Sequence, residues 1–136
     1  MDKNKMSDDK KLNCDVHKLP HPIRAFHKKI GLWILGGGTK ASAIDGYKRC
    51  PLRYFEYYSV SHMHDGCGRF FMPNKGETKI SPGDCVIISP GTLHRYGGCE
   101  GMPYIEDAVR FIGPIADALL ETTTLGKFIS NLKKNE

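Results

Sequence analysis

The chain contains no apolar run approaching the ~20 residues needed to cross a bilayer. Its start, MDKNKMSDDKK, also lacks the apolar stretch of a secretory signal. These two absences lead us to expect a cytoplasmic protein with no membrane partner. There is no C-x-x-C pair, and the five cysteines (Cys14, Cys50, Cys67, Cys85 and Cys99) are odd in number. Neither a disulfide framework nor a zinc ribbon is indicated, so all five are expected as reduced thiols. Internal repeats and low-complexity tracts are missing too. With 136 residues the sequence is too short for two domains and long enough for one core.

A basic stripe is also missing, despite a net charge of +5. Residues 1–30 carry eight Lys/Arg against four Asp/Glu, residues 31–126 nine against ten, and residues 127–136 three against one. The middle is nearly neutral, and at the ends the bases are interrupted by acids, unlike a phosphate-tracking surface. Direct sequence-specific DNA binding by this chain is therefore not expected. Nor is hydrolysis: Ser61, His62, His64 and Asp65 are close neighbours in one run and cannot converge as a catalytic triad must.

What the sequence does have is turn chemistry at short intervals. Apolar or alternating runs fall at Ile30 to Leu35, Leu52 to Val60, Arg69 to Met72, Cys85 to Ser89 and Tyr104 to Phe111. Between them stand GGG, DG, CG, PNKG, SPG, SPG and GGCEG. Many short strands at that spacing predict a mainly β fold, a sandwich or barrel. Val86-Ile87-Ile88 reads as a strand covered on both faces, opened by the turn Ser81-Pro82-Gly83-Asp84 and closed by Pro90-Gly91. His94 then follows a tight turn, where its ring can be aimed into a cavity. Pro114 suits a first helical position. Leu125, Phe128, Ile129 and Leu132 repeat at i, i+3, i+4, i+7, which predicts one apolar helical stripe, free to pack on its own barrel or on a second copy. The expected organisation is a mobile polar arm at 1–18, a barrel at 19–113 and a C-terminal helical segment at 114–136.

Three stretches carry a family resemblance. PGDCVIISPGTLHRY resembles the second motif of the cupin superfamily, with Ser89 in place of its usual first proline. YFEYYSVSHMHDGCGRFF resembles the strand and G-x-G turn of the sensor half of AraC-type transcription regulators, and AVRFIGPIADALLE the segment after their barrel. The ordered match spans roughly residues 45 to 121. The resemblance implies a small cupin jelly-roll barrel with one or two C-terminal helices, which binds a sugar or similar effector in its mouth and forms a homodimer. It also implies ligand-binding roles for Arg49, His94, Tyr96 and Glu106. A planar guanidinium suits vicinal oxygens, and a tyrosine offers ring and hydroxyl at once. Ala108 stands where the arabinose sensor keeps a stacking tryptophan, so a different ligand is implied. About fifteen residues follow Glu121, enough for one helix of roughly 22 Å and not for the DNA-binding half of such a regulator.

His62-Met63-His64 also resembles the His-x-His of metal-binding cupins. On a strand, residues 62 and 64 share a face, so the alternative is a metal-dependent cupin enzyme, a sugar isomerase or dioxygenase, holding a divalent transition metal with His62, His64 and His94. The carboxylate such enzymes add beyond the second histidine is absent, since positions 68 to 70 are Gly-Arg-Phe. The favoured expectation is accordingly a sensor domain with no metal cofactor.

Overall fold

The structure is a computed structural model, and it describes residues 15–43, 47, 50–120 and 129–131. In chain order the elements are β1 (Asp15–His17), α1 (Ala25–Ile30), β2 (Trp33–Ala43), β3 (Arg53–Phe55), β4 (Tyr58–Gly66), β5 (Gly68–Met72), β6 (Gly76–Ile80), β7 (Asp84–Ile88), β8 (Arg95–Gly98), β9 (Tyr104–Ile112), α2 (Pro114–Leu120) and β10 (Ile129–Asn131). An antiparallel sheet of five strands runs β10-β7-β4-β9-β2, and a sheet of three runs β6-β5-β8. The short parallel pair β1-β3 joins the smaller sheet through a single bridge between Arg53 and His94. In that bridge each backbone N–H donates to the other residue's carbonyl at 2.9 Å.

The core lies between the sheets. Met63, Val86, Ile88, Tyr104 and Ile112 project from the larger one, and Phe55, Phe70 and Ile80 from the other side. Period-two alternation puts them there: β7 buries Asp84, Val86 and Ile88 and leaves Cys85 and Ile87 half-buried on the outer face. The expected turn before this strand is present. Gly83 has φ +94° and its N–H donates to the Met63 carbonyl at 2.9 Å, while the buried Asp84 carboxylate accepts the Ser81 N–H at 2.8 Å. Asp84→Ala should therefore cost about 1 to 2 kcal/mol, because it strands a partly buried donor. The urea midpoint reads this directly. A loss under about 0.5 kcal/mol, the range of neutral surface changes, would show that the turn holds without its acid.

Four sequence expectations change. The GGG stretch is no turn: β2 runs through it, with register irregularities between Ile34 and Gly36 and between Gly38 and Ala41. A Cβ on Gly37 would lie 2.6 Å from the Ala108 carbonyl oxygen, so the glycine permits close backbone approach within the sheet. The polar arm is not free up to residue 18, because Asp15–His17 pairs in parallel with β3; residues 1–14 lie outside the described residues. The helical stripe is not helical at Ile129, which pairs with Val86 as part of β10. Edge pairing along β7 supplies backbone partners that a periodicity count does not consider. Leu125, Phe128 and Leu132 lie outside the described residues. Finally, Cys67 and Cys99 form a disulfide rather than two thiols. Antiparallel pairing of Gly68 with Gly98 brings their neighbours to a Cα–Cα distance of 5.5 Å, ordinary disulfide spacing, across 32 residues of chain. A disulfide removes the cysteine argument for a reducing compartment. Cys50 and Cys85 are free thiols, and Cys14 lies outside the described residues.

Candidate functional site

The barrel interior is polar at one level. Ser59, Ser61 and Met63 of β4 face inward, as do Tyr104 and Glu106 of β9, because alternate residues share a face. Across from them His94 and Tyr96 extend from the bridge and β8, their rings stacked with centroids 5.9 Å apart. The guanidinium of Arg53 lies 4.8 Å from the Tyr96 ring centre and 5.2 Å from that of Phe55, favourable ground for a cation over aromatic faces. Its charge acts on Glu106, Tyr96 and His94 alike. The Tyr96 and Tyr104 rings are 5.8 Å apart.

Burial sets the electrostatics. It raises the Glu106 carboxyl above the usual carboxylate range, and the neighbouring Ser61, Tyr104 and Arg53 offset part of that. The Tyr96 and Tyr104 phenols are pushed up by burial and then by the nearby Glu106. His94 is fully buried, and that burial drives it down to about 4; the Thr92 carbonyl opposes the shift, and Arg53 and His17 add to it. A carbonyl can only accept, so the 2.8 Å contact with Thr92 makes Nδ1 the protonated nitrogen and leaves a lone pair on Nε2. Among the described residues, that Nε2 and Arg53 Nε have no hydrogen-bond partner, and Ser61 Oγ, Tyr104 Oη and Glu106 Oε2 make no well-aligned hydrogen bond, although Ser61 and Tyr104 stand close enough to Glu106 to favour its carboxylate. Buried polar atoms in native proteins are nearly always paired, so such a group in one interior is unusual.

Of the residues singled out from the sequence, His94, Tyr96 and Glu106 come together in this interior. Arg49 lies outside the described residues. Among the described residues, Arg53 brings a guanidinium to this interior, where a strict alternation count from Phe55 would have placed it, and Arg110 adds its charge at Glu106 and Tyr96. Ser61 and Tyr104 were missed for want of any local signal: a serine in a strand and a tyrosine after Pro103 are ordinary. The alternative metal set does not assemble. His62 and His64 project from the outer face of β4, on the opposite side from Ser61 and Met63, whereas His94 is inside. The tripeptide of the metal cupins is thus present in sequence with its imidazoles turned away from the barrel.

The fold is a small, mainly β cupin-type barrel with a polar, aromatic-lined interior. A family model described as the AraC-like ligand binding domain matches residues 39–133, and the chain belongs to that family. Among solved structures it is similar to a cupin-like protein from Thermotoga maritima MSB8, with 17% identity over 54% of this chain and 62% of the other and a TM-score of 0.40. It is also similar to the polyketide cyclase RemF from Streptomyces resistomycificus, with 14% identity over 57% of this chain and 49% of the other and a TM-score of 0.36. The matched region therefore spans less than two thirds of either neighbour. No curated protein sequence matches the chain. Among the described residues no helix is long and apolar enough to cross a membrane.

Proposed function

We propose that this domain senses a sugar or sugar acid held in the barrel interior by Arg53, Ser61, His94, Tyr96, Tyr104 and Glu106, and that it serves transcription regulation as the effector-binding part of an AraC-type regulator or as a stand-alone relative. One observation carries the reading. Donor and acceptor atoms that lack a well-aligned hydrogen bond (Arg53 Nε, Ser61 Oγ, His94 Nε2, Tyr104 Oη and Glu106 Oε2) share an interior lined by aromatic rings. A polyhydroxylated ring needs that combination. Its hydroxyls both give and accept hydrogen bonds, and its C–H face packs on aromatic surface. The guanidinium supplies paired donors for vicinal oxygens or a carboxylate.

A thermal-shift screen of neutral sugars, sugar acids and apolar controls tests it. At about a hundredfold over its dissociation constant a true effector should stabilise the fold by roughly 2.7 kcal/mol, several degrees for a domain of this size. Arg53→Ala should weaken binding by about 1.5 to 3 kcal/mol, the worth of a hydrogen bond to a charged group, and Ser61→Ala by about 1. Stabilisation by a sugar that survives Arg53→Ala and Glu106→Gln intact would put the site elsewhere. A response to apolar compounds alone would refute the carbohydrate class.

A further inference from the structure

We propose that His62, His64 and Asp107 form a binding site for one divalent transition-metal cation on the outer face of the five-stranded sheet, on the side away from the barrel interior. The pairing of β4 with β9 sets His62 directly opposite Asp107. His64 follows two residues along the same face, and the register irregularity between Met63 and Asp65 swings it onto the same carboxylate. His64 Nε2 and Asp107 Oδ2 are in hydrogen-bond contact, and the His62 and His64 rings lie 5.1 Å apart. One ligand atom from each residue lies within 4.8 Å of the other two. Small rotations of two partly exposed imidazoles bring such atoms onto a zinc-sized ion with bonds of about 2.0 to 2.2 Å.

The donor set points to the class of cation. Two imidazoles and a carboxylate suit zinc and its neighbours in the first transition row rather than calcium or magnesium, which prefer oxygen alone. The other carboxylate oxygen is already held: Lys40, turned to φ +50° at the bulge in β2, donates its backbone N–H to Asp107 Oδ1 at 2.8 Å. Such an outer contact orients a ligating carboxylate and leaves its partner oxygen for the metal. The side chains of His64 and Asp107 are each 36% exposed, so solvent ions reach them and water can complete the coordination. A bound ion would cross-link β4 and β9, the two strands that carry Ser61 and Glu106 on their inner faces.

The test uses the intact chain without an affinity tag, stripped with a chelator and titrated calorimetrically with zinc chloride. One zinc per chain is expected. His62→Ala, His64→Ala and Asp107→Asn should each weaken binding at least about 10- to 100-fold, the range seen even for outer-shell changes, while His21→Ala leaves it unchanged. Imidazole nitrogen NMR of the wild-type chain removes any dependence on how the variants fold: zinc should move the ring signals of His62 and His64 and leave those of His21 and His27 in place. Absence of stoichiometric binding, affinity indifferent to all three substitutions, or ring shifts confined to other histidines would each overturn the site.

Discussion

As pH falls from 6.5 to 4, His94 alone is expected to remove about 3 kcal/mol from the stability of the fold. The sign follows from which state takes up the proton. In the unfolded chain the imidazole titrates near 6.5, whereas in the folded domain burial holds it down to about 4. Between those values the unfolded state binds the extra proton, so stability is full above pH 6.5 and drains away as pH drops toward 4. The ring has no room to accommodate a charge. Phe55 meets it edge-on at 4.8 Å, Phe70 and Tyr96 stack at 5.8 and 5.9 Å, and the Arg53 guanidinium adds like charge. Glu106 works in the opposite direction: its raised carboxyl makes the folded state the better proton binder above about 4.5, so its own contribution falls as pH rises. The wild-type curve alone therefore mixes the two. Urea unfolding of the wild type and His94→Gln at a series of pH values separates them, since only the difference belongs to His94. That difference should shrink by about 3 kcal/mol on acidification. A difference that stays constant from pH 7 to 4.5 would mean that His94 is protonated in the folded state without penalty.

Gly66→Ala, where an added methyl meets the closest backbone contact among the described glycines, should cost about 3 to 4 kcal/mol. Gly66 ends β4 with φ +97°, and a Cβ there would stand 1.7 Å from the Pro103 carbonyl oxygen and 2.8 Å from its carbon. That oxygen accepts the Cys67 N–H at 3.2 Å, so pushing Pro103 away also breaks the bond that begins the turn into β5. Gly76 provides the control. It too has positive φ, +76°, but nothing lies within 4 Å of its added Cβ, so Gly76→Ala carries only the conformational cost of about 1 to 2 kcal/mol. Urea midpoints of the two variants, measured with the Cys67–Cys99 disulfide intact, compare strain alone with strain plus collision. Equal losses would show that the Pro103 segment moves aside freely.

The G-x-G that resembles the sensor family thus has a local physical meaning. Gly66 clears a carbonyl, and Gly68 clears the Tyr104 ring, whose Cδ2 would lie 2.6 Å from an added Cβ. Both partners come from a segment nearly forty residues later, so the spacing could be read as a turn but not as a docking surface for β9.

Alternating hydrophobicity, turn residues at each gap and the Pro-x-Gly-x-x-His run determined the mainly β barrel, the strand expected from Asp84 to Ser89 and found over Asp84–Ile88, the turn that sets His94, and the helix opening at Pro114. Each of these depends on neighbours in the chain, and local sterics suffice to specify them. Tertiary structure decided the rest. It drew β2 through three glycines because Gly37 meets β9. It paired Cys67 with Cys99 by the register of β5 on β8, and drew Ile129 into a strand beside β7. Above all it chose which face of β4 turns inward. Side chains alternate with period two, so Ser61 and Met63 inside place His62 and His64 outside, and the register of β4 on β9 then gives them Asp107. That choice belongs to the packing of the whole barrel around Met63, and no residue within the tripeptide encodes it.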